Sequence, residues 1–241
     1  MLNRLRSLES RNARRRSRVA RWDRPIAGAL DRLRAWANML LFDHGVFRLL
    51  YLNAHPVGSG RVWRTAQPAP HHIRSFRARG VRTIVSLRGQ REYGSWQLQR
   101  DACLRHGIDL VDVAVRSRSA PSRETLLELR DVFDRIRYPA VIHCKSGADR
   151  AGLAAALYLI FREGSSVEVA AGQLSIRYGH LRFSKTGVLD AFFQSYLAFN
   201  ERHPIGFAEW IERHYAPDAT ERAASSRFLH TMIGDRLLRR E

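Results

Sequence analysis

The chain has 241 residues, 41 of them Lys or Arg and 23 Asp or Glu, for a formal net charge of +18. Two cysteines exclude a disulfide framework and a four-cysteine zinc site, and a hydrophobic share of 45% argues against wholesale disorder. No run of about 18 uncharged apolar residues is present to span a bilayer, and the first residues lack the compact apolar core of a secretory signal.

A reducing, cytoplasmic setting is therefore expected. The length suits one domain of roughly 150 residues with extensions, or one larger domain. Charge is concentrated at the start: residues 1–36 carry eleven Arg against Glu9, Asp23 and Asp31, a net of +8. Such a run reads as a basic flexible arm over residues 1–25, with transient helix at most, that attracts anionic surfaces or is a basic tail with no fixed partner. Anionic lipid is one such surface. Nucleic acid is not expected as a partner, because the arm lacks interleaved aromatics and a recognised nucleic-acid fold. Arginine is a habit of this chain, since only Lys145 and Lys185 are lysines.

Pro25 opens a predicted helix over 26–42 in which Leu30, Leu33, Trp36, Ala37, Leu40 and Leu41 recur at spacings of three and four. Asp43-His44-Gly45 interrupts it before a second apolar stretch, Val46–Leu52. Residues 26–56 are thus expected to form an amphipathic helical extension, either packed on the domain or lying on a membrane surface. Together with the arm they make residues 1–52 a candidate peripheral contact with an anionic inner membrane face.

From residue 57 the pattern alternates. Arg61–Thr65 reads as a strand and His71–Arg79 as a helix stopped by Gly80. Thr83–Leu87 is a strand. Ser95–His106 is a helix ended by Gly107, and Asp109–Val115 a strand. Ser122 caps a helix over Arg123–Arg137. Ala140–His143 is a short buried strand. Ala151–Phe161 and Ser166–Tyr178 are helices, and Val188–Phe199 and Phe207–Tyr215 are further helical patterns. Strands alternating with helices predict an α/β fold with a mostly parallel central sheet covered on both faces. The expected domain runs over 57–200, and 201–241 is expected to be a C-terminal helical extension.

The informative segment is His143-Cys144-Lys145-Ser146-Gly147-Ala148-Asp149-Arg150, between a strand and a helix, where α/β folds place ligands. A loop this tight can wrap backbone N–H groups around a tetrahedral anion, with the next helix adding its positive end. A Cys at the start of the loop lies in that field, which favours its thiolate. Gly147 allows a positive φ or a close backbone approach. Arg150 can return as a planar fork holding two phosphate oxygens. Lys145, Ser146, Gly147, Ala148, Asp149 and Arg150 are the candidate phosphate-binding residues. A buried structural Cys, or a sulfur-transfer loop of rhodanese type, would use some of the same elements.

The segment resembles the His-Cys-x5-Arg signature loop of the cysteine-dependent protein tyrosine and dual-specificity phosphatases. Arg61–Pro68 and Gly80–Arg88 look like the opening of compact bacterial members of that group, and the resemblance covers about residues 57–190. It implies a phosphotyrosine-phosphatase-like fold and a two-step reaction without metal or cofactor. In that reaction Cys144 forms a phospho-cysteine that water then hydrolyses. The substrate it implies first is phosphotyrosine, with phosphoserine and phosphothreonine beside it.

A general acid must protonate the leaving oxygen. Many members supply an Asp about thirty residues before the Cys, where Asp112 falls inside a predicted strand. Myotubularin-like lipid phosphatases and some bacterial enzymes carry an acid at the position of Asp149, which is the preferred candidate. Ala151 stands where the family commonly has Ser or Thr. Lys145 matches a Lys of some inositol-lipid phosphatases and keeps a phosphoinositide or other anionic lipid substrate open. A catalytically weak phosphate-binding module is the reading of another class. Tyr178–Gly187, dense in polar and cationic residues, receives no role, and Cys103 reads as a small buried side chain.

Overall fold

The computed structural model describes residues 2–89 and 92–225. Five strands form one sheet: β1 (His55–Val57), β2 (Val62–Ala66), β3 (Thr83–Ser86), β4 (Asp109–Asp112) and β5 (Ala140–Cys144). Their order is β1-β2-β5-β3-β4, with β1 antiparallel to β2 and every other pair parallel. The expected α/β fold, with a mostly parallel central sheet flanked by helices, is therefore present. The central strand is β5, buried at all five positions, as a strand covered on both faces requires.

Successive β5 residues serve opposite faces. Val141, with Ile84 and the half-buried Trp63, packs under α4 (Pro70–Ala78) and α5 (Gly94–His106) through Ile73, Phe76, Ala102 and Cys103. Ile142, with Val62 and Val85, faces α6 (Arg123–Arg135) and α7 (Asp149–Glu163) through Leu129, Phe133, Leu153 and Leu157. The second core extends over α8 (Val167–Ala171), α9 (Val188–Asn200) and α10 (Phe207–Arg213), where Phe192, Phe207, Trp210 and Tyr215 cluster. Residues 217–225 are helical, and the rest of the expected C-terminal extension, 226–241, lies outside the described residues.

The ends of the chain's first third differ from expectation. The segment expected as a flexible arm is a 21-residue helix, α1 (Leu2–Trp22). It is tethered near its end, where Arg15 and Arg18 hold the two oxygens of Glu92 at 3.0 and 2.7 Å. Asp23 just beyond it accepts from Trp96 Nε1 and Arg100. Those partners lie some seventy residues away, so the local charge run could not disclose them.

The next helix, α2 (Ala29–Leu41), begins after Gly28 rather than at Pro25. It packs on α5, with the Ala35 backbone in the space a Cβ at Gly94 would need. A short α3 (Gly45–Leu50) follows. The expected long helix over Ser166–Tyr178 is broken into α8 and a 3-10 turn at Ile176–Tyr178, separated by Gly172 and the turn that brings Gln173 to the sheet edge. The strand expected over Asp109–Val115 ends at Asp112, level with the end of β3. The edge strand β1 has no counterpart in the sequence reading, because three residues carry too little alternation to register.

Candidate active site

Three parallel strands, β2, β5 and β3, end together. Ala66 stands beside Cys144, and Ser86 beside His143. Beyond β5 the chain turns through residues 145–148 into α7, whose first residue is Asp149. Cys144 is buried, and its Sγ accepts a hydrogen bond from the Gly147 N–H at 3.2 Å. The sulfur thus meets an amide of the loop at the edge of the second core. Gly147 has φ +77°, and a Cβ there would lie 2.6 Å from Ala66 N. Both expected reasons for glycine hold at this position. Arg150 returns toward the same edge, with Nη1 donating to Leu87 O at a long 3.4 Å. Ala148 N–H reaches Ser146 Oγ at 3.4 Å.

The loop rests on a side chain that sequence reading passed over. Arg64, in β2, is fully buried. Its Nη2 donates to Gly147 O at 2.8 Å and Ala148 O at 2.7 Å, and its Nη1 to Gln173 O at 2.5 Å and Gln173 Oε1 at 3.0 Å. Its guanidinium lies 4.1 Å from the Tyr178 ring centre. Burial lowers its pKa to about 10, against the neighbouring Cys144, Tyr178 and Asp149, so it stays charged near neutrality. Tying loop carbonyls from behind turns their N–H groups toward the opposite, anion-facing side. Asn53 adds a second tie, its Nδ2 donating to Ser146 O at 3.0 Å and Tyr178 O at 2.9 Å.

His143 is fixed by a chain of donors. Arg88, which can only donate, gives Nη1 to Gln67 Oε1. Gln67 Nε2 donates to Gln99 Oε1 at 2.8 Å, and Gln99 Nε2 to His143 Nε2 at 2.6 Å. Nε2 is then an acceptor, so the proton sits on Nδ1, 3.3 Å from Cys144 O. Burial drives the imidazole pKa down to about 3, which keeps this ring neutral.

The chain starts at Asp43, between α2 and α3, a residue the sequence reading saw only as a helix interruption. Its carboxylate is fully buried and accepts from Arg88 at 2.7 and 2.9 Å, Arg48 at 2.9 Å and Ser95 Oγ at 2.7 Å. Burial alone would raise its pKa. The hydrogen bond and charge of Arg88, with the charge of Arg48, outweigh that and hold it well below the usual carboxylate range. Lys145 Nζ lies 3.6 Å from Asp43 Oδ1 with 41% of its side chain exposed. Burial lowers the Lys145 pKa, partly offset by Asp43. Lys145 therefore sits at the rim of the loop, neither a free surface lysine nor a buried one.

The two candidate acids stand in different places. Asp149 opens α7, and its Oδ1 meets His180 Nδ1 at 2.8 Å, while His180 Nε2 meets Asp190 Oδ2 at 2.7 Å. Burial alone would lower the His180 pKa, but its two carboxylate partners raise it to about 9. Asp112 ends β4, in register with Ser86, two strands from Cys144. Ala151 is fully buried in the helix after the loop. The segment around Tyr178 and His180, given no role from sequence, is thus a wall of the loop. Its pattern carried no local signal because its partners are Arg64, Asn53, Asp149 and Asp190. Cys103 is buried, and burial pushes its thiol up to about 12. Among the described residues, no group of three or more His, Cys, Asp or Glu side chains is arranged to hold a metal ion.

A Cys beneath loop amides at the carboxyl edge of a parallel sheet, with an Arg six positions on, defines an enzyme of the tyrosine and dual-specificity phosphatase class. The family model described as DSP-PTPase phosphatase fused to NAD+ kinase matches residues 55–187, more than half of the chain, and the chain belongs to that family. No curated protein matches the sequence. Among solved structures the chain is similar to TpbA of P. aeruginosa, with 18% identity over 72% of this chain and 91% of that one and a TM-score of 0.47. It is also similar to Tk-PTP in its active form, with 22% identity over 60% and 98% and a TM-score of 0.46. For PTPMT1 the identity is 20% over 62% and 99%, with a TM-score of 0.45.

Proposed function

We propose that this phosphatase hydrolyses phosphomonoesters through a phospho-cysteine on Cys144, with phosphotyrosine as first substrate and phosphoserine or phosphothreonine beside it. The observation that carries the reading is the Gly147 N–H aimed at Cys144 Sγ, in a loop whose carbonyls are tied back by Arg64. The thiolate attacks phosphorus, the S–P bond forms, and the P–O bond to the leaving group breaks. The leaving oxygen takes a proton from a carboxylic acid. Water then attacks the phospho-cysteine, gives a proton back to that carboxylate, and releases phosphate and the thiolate. Arg150 and the amides of 145–150 hold the equatorial oxygens.

Asp149 is the acid of this reading, because it belongs to the loop itself, and Asp112 is the alternative. The domain carrying the reaction is read over 57–200, joined at one edge by β1 and followed by a C-terminal extension, 201–241, whose Phe207, Trp210 and Tyr215 close the second core. A reducing cytoplasmic setting suits a free thiol nucleophile.

Turnover of a generic aryl phosphate tests the enzyme: Cys144→Ser lowers it by about a thousandfold or more, and an unaffected rate refutes the nucleophile. The pH–rate profiles of Asp149→Asn and Asp112→Asn decide the acid, since only the true acid's variant loses the basic limb. A weak binding module would show phosphate binding with no turnover in any of these assays.

A second reading, a phosphoinositide or other anionic phospholipid as substrate, is favoured by Lys145 at the loop rim. Comparing hydrolysis of phosphopeptide and phospholipid separates the two.

A further inference from the structure

Large apolar side chains that stand exposed are unevenly distributed. Of thirteen among the described residues, eight lie between residues 30 and 51: Leu30, Leu33, Leu41, Phe42, Val46, Phe47, Leu50 and Tyr51. On α2, Leu30, Leu33 and Leu41 fall within one arc of the helix, opposite the buried Ala35 and Met39. The helix is therefore apolar on two faces. One is spent on α5, and the other is open. A cluster of open apolar side chains of this kind marks an interaction site.

Two features connect it to the mouth of the phosphatase loop. Phe42 precedes Asp43, which lies 3.6 Å from Lys145, and Tyr51 Oη donates to Asn53, which holds Ser146 O. On another segment, Leu181 and Phe183, 57% and 76% exposed, follow His180, whose ring holds Asp149. Exposed apolar residues thus neighbour, along two separate segments of the chain, the groups that hold the loop.

Charge selects the occupant. The open face follows directly on a helix whose Arg14, Arg16 and Arg21 are exposed, and Arg34 is exposed beside the apolar arc of α2. Arg182 and Lys185 flank Phe183 in sequence. A second copy of a chain with net charge +18 meets like charge over such a face. An anionic lipid surface meets apolar and cationic groups together. Among the described residues no helix is long and apolar enough to cross a membrane, so contact would be peripheral.

We infer that the open apolar face of residues 30–51, with Leu181 and Phe183, docks the enzyme on anionic bilayers with the mouth of the 144–150 loop toward the lipid headgroups. The inference rests on the phosphatase reading only for the name of the mouth. Docking presents the loop to phosphomonoesters at the membrane plane and shields it from soluble ones. The sequence points to contact through residues 1–52, and the orientation and the share of 181–183 come from the fold.

The test uses the full chain, flotation with phosphatidylcholine vesicles with and without phosphatidylglycerol, and turnover of p-nitrophenyl phosphate. Wild type is expected to float only with anionic vesicles, less so at high salt. Its soluble turnover falls when those vesicles are added. The variant Leu33→Glu/Leu41→Glu/Phe47→Glu binds at least about tenfold more weakly and keeps its turnover when vesicles are present. If the triple variant loses turnover without vesicles, Phe47→Glu alone carries the comparison. Absent binding, equal binding by the variant, or a wild-type dimer that the variant splits overturns the docking. Binding that leaves soluble turnover unchanged overturns the orientation. Turnover of wild type without vesicles reports on the phosphatase reading separately.

Discussion

A buried arginine that spends its donors on backbone carbonyls is an expensive way to hold a loop, and Arg64 does this for the 147–148 turn. Replacing it with Met keeps volume but leaves the Gly147 and Ala148 carbonyls unpaired. Arg64→Met should lose roughly 3 kcal/mol of stability, measured by urea unfolding. Turnover should fall further than the lost folded fraction explains, because the amides opposite those carbonyls lose their direction. His180 gives a pH signature. Its pKa is raised from 6.5 to about 9 in the folded chain, so the folded state binds the proton more tightly. The stabilisation is complete below the unfolded value and disappears as pH rises through the folded one. Unfolding followed between pH 6 and pH 10 should show this decline in wild type and a flatter curve in His180→Gln, and equal slopes would remove the charged ring from the account.

Element boundaries follow local chemistry where local chemistry is strong. Ser122 caps α6 as its sequence position predicts, its hydroxyl accepting from Thr125 N at 3.2 Å, and Gly107 ends α5 in the left-handed region. Ser122→Ala should cost about 1 kcal/mol, read as a lower melting temperature. Elements went unread where tertiary partners set them. α1 is ordered beside α5 through Glu92 and Asp23, and the Ser166–Tyr178 helix is interrupted so that Gln173 and Tyr178 can reach Arg64 and Asn53. In both cases the sequence periodicity is compatible with what forms, but the deciding contacts are far away along the chain.

Across the whole molecule, the family match begins at residue 55, yet the polar scaffold of the site begins at Asp43. One carboxylate there faces Arg48 and Arg88 in the interior and Lys145 at the rim, and through Arg88, Gln67 and Gln99 it reaches His143. Asp43→Ala leaves two buried guanidinium groups without their counter-charge, for a loss of about 3 to 5 kcal/mol. A melting temperature within a degree or two of wild type would show that the N-terminal helices are an appendage rather than part of the domain.

The sequence alone was sufficient for the α/β class, for the strand-loop-helix around Cys144 and for the left-handed turn at Gly147, because a tight loop demands particular residues at fixed, short spacings. It could not disclose Arg64, Asn53, Asp43 or His180. Each of these has at least one partner between 31 and 125 positions distant, by a hydrogen bond whose existence depends on two surfaces being packed together. A short motif records the geometry that the backbone imposes on its own neighbours. The supports of that motif are recorded only in the packing, where burial makes every polar group find a partner and the fold decides which one it meets.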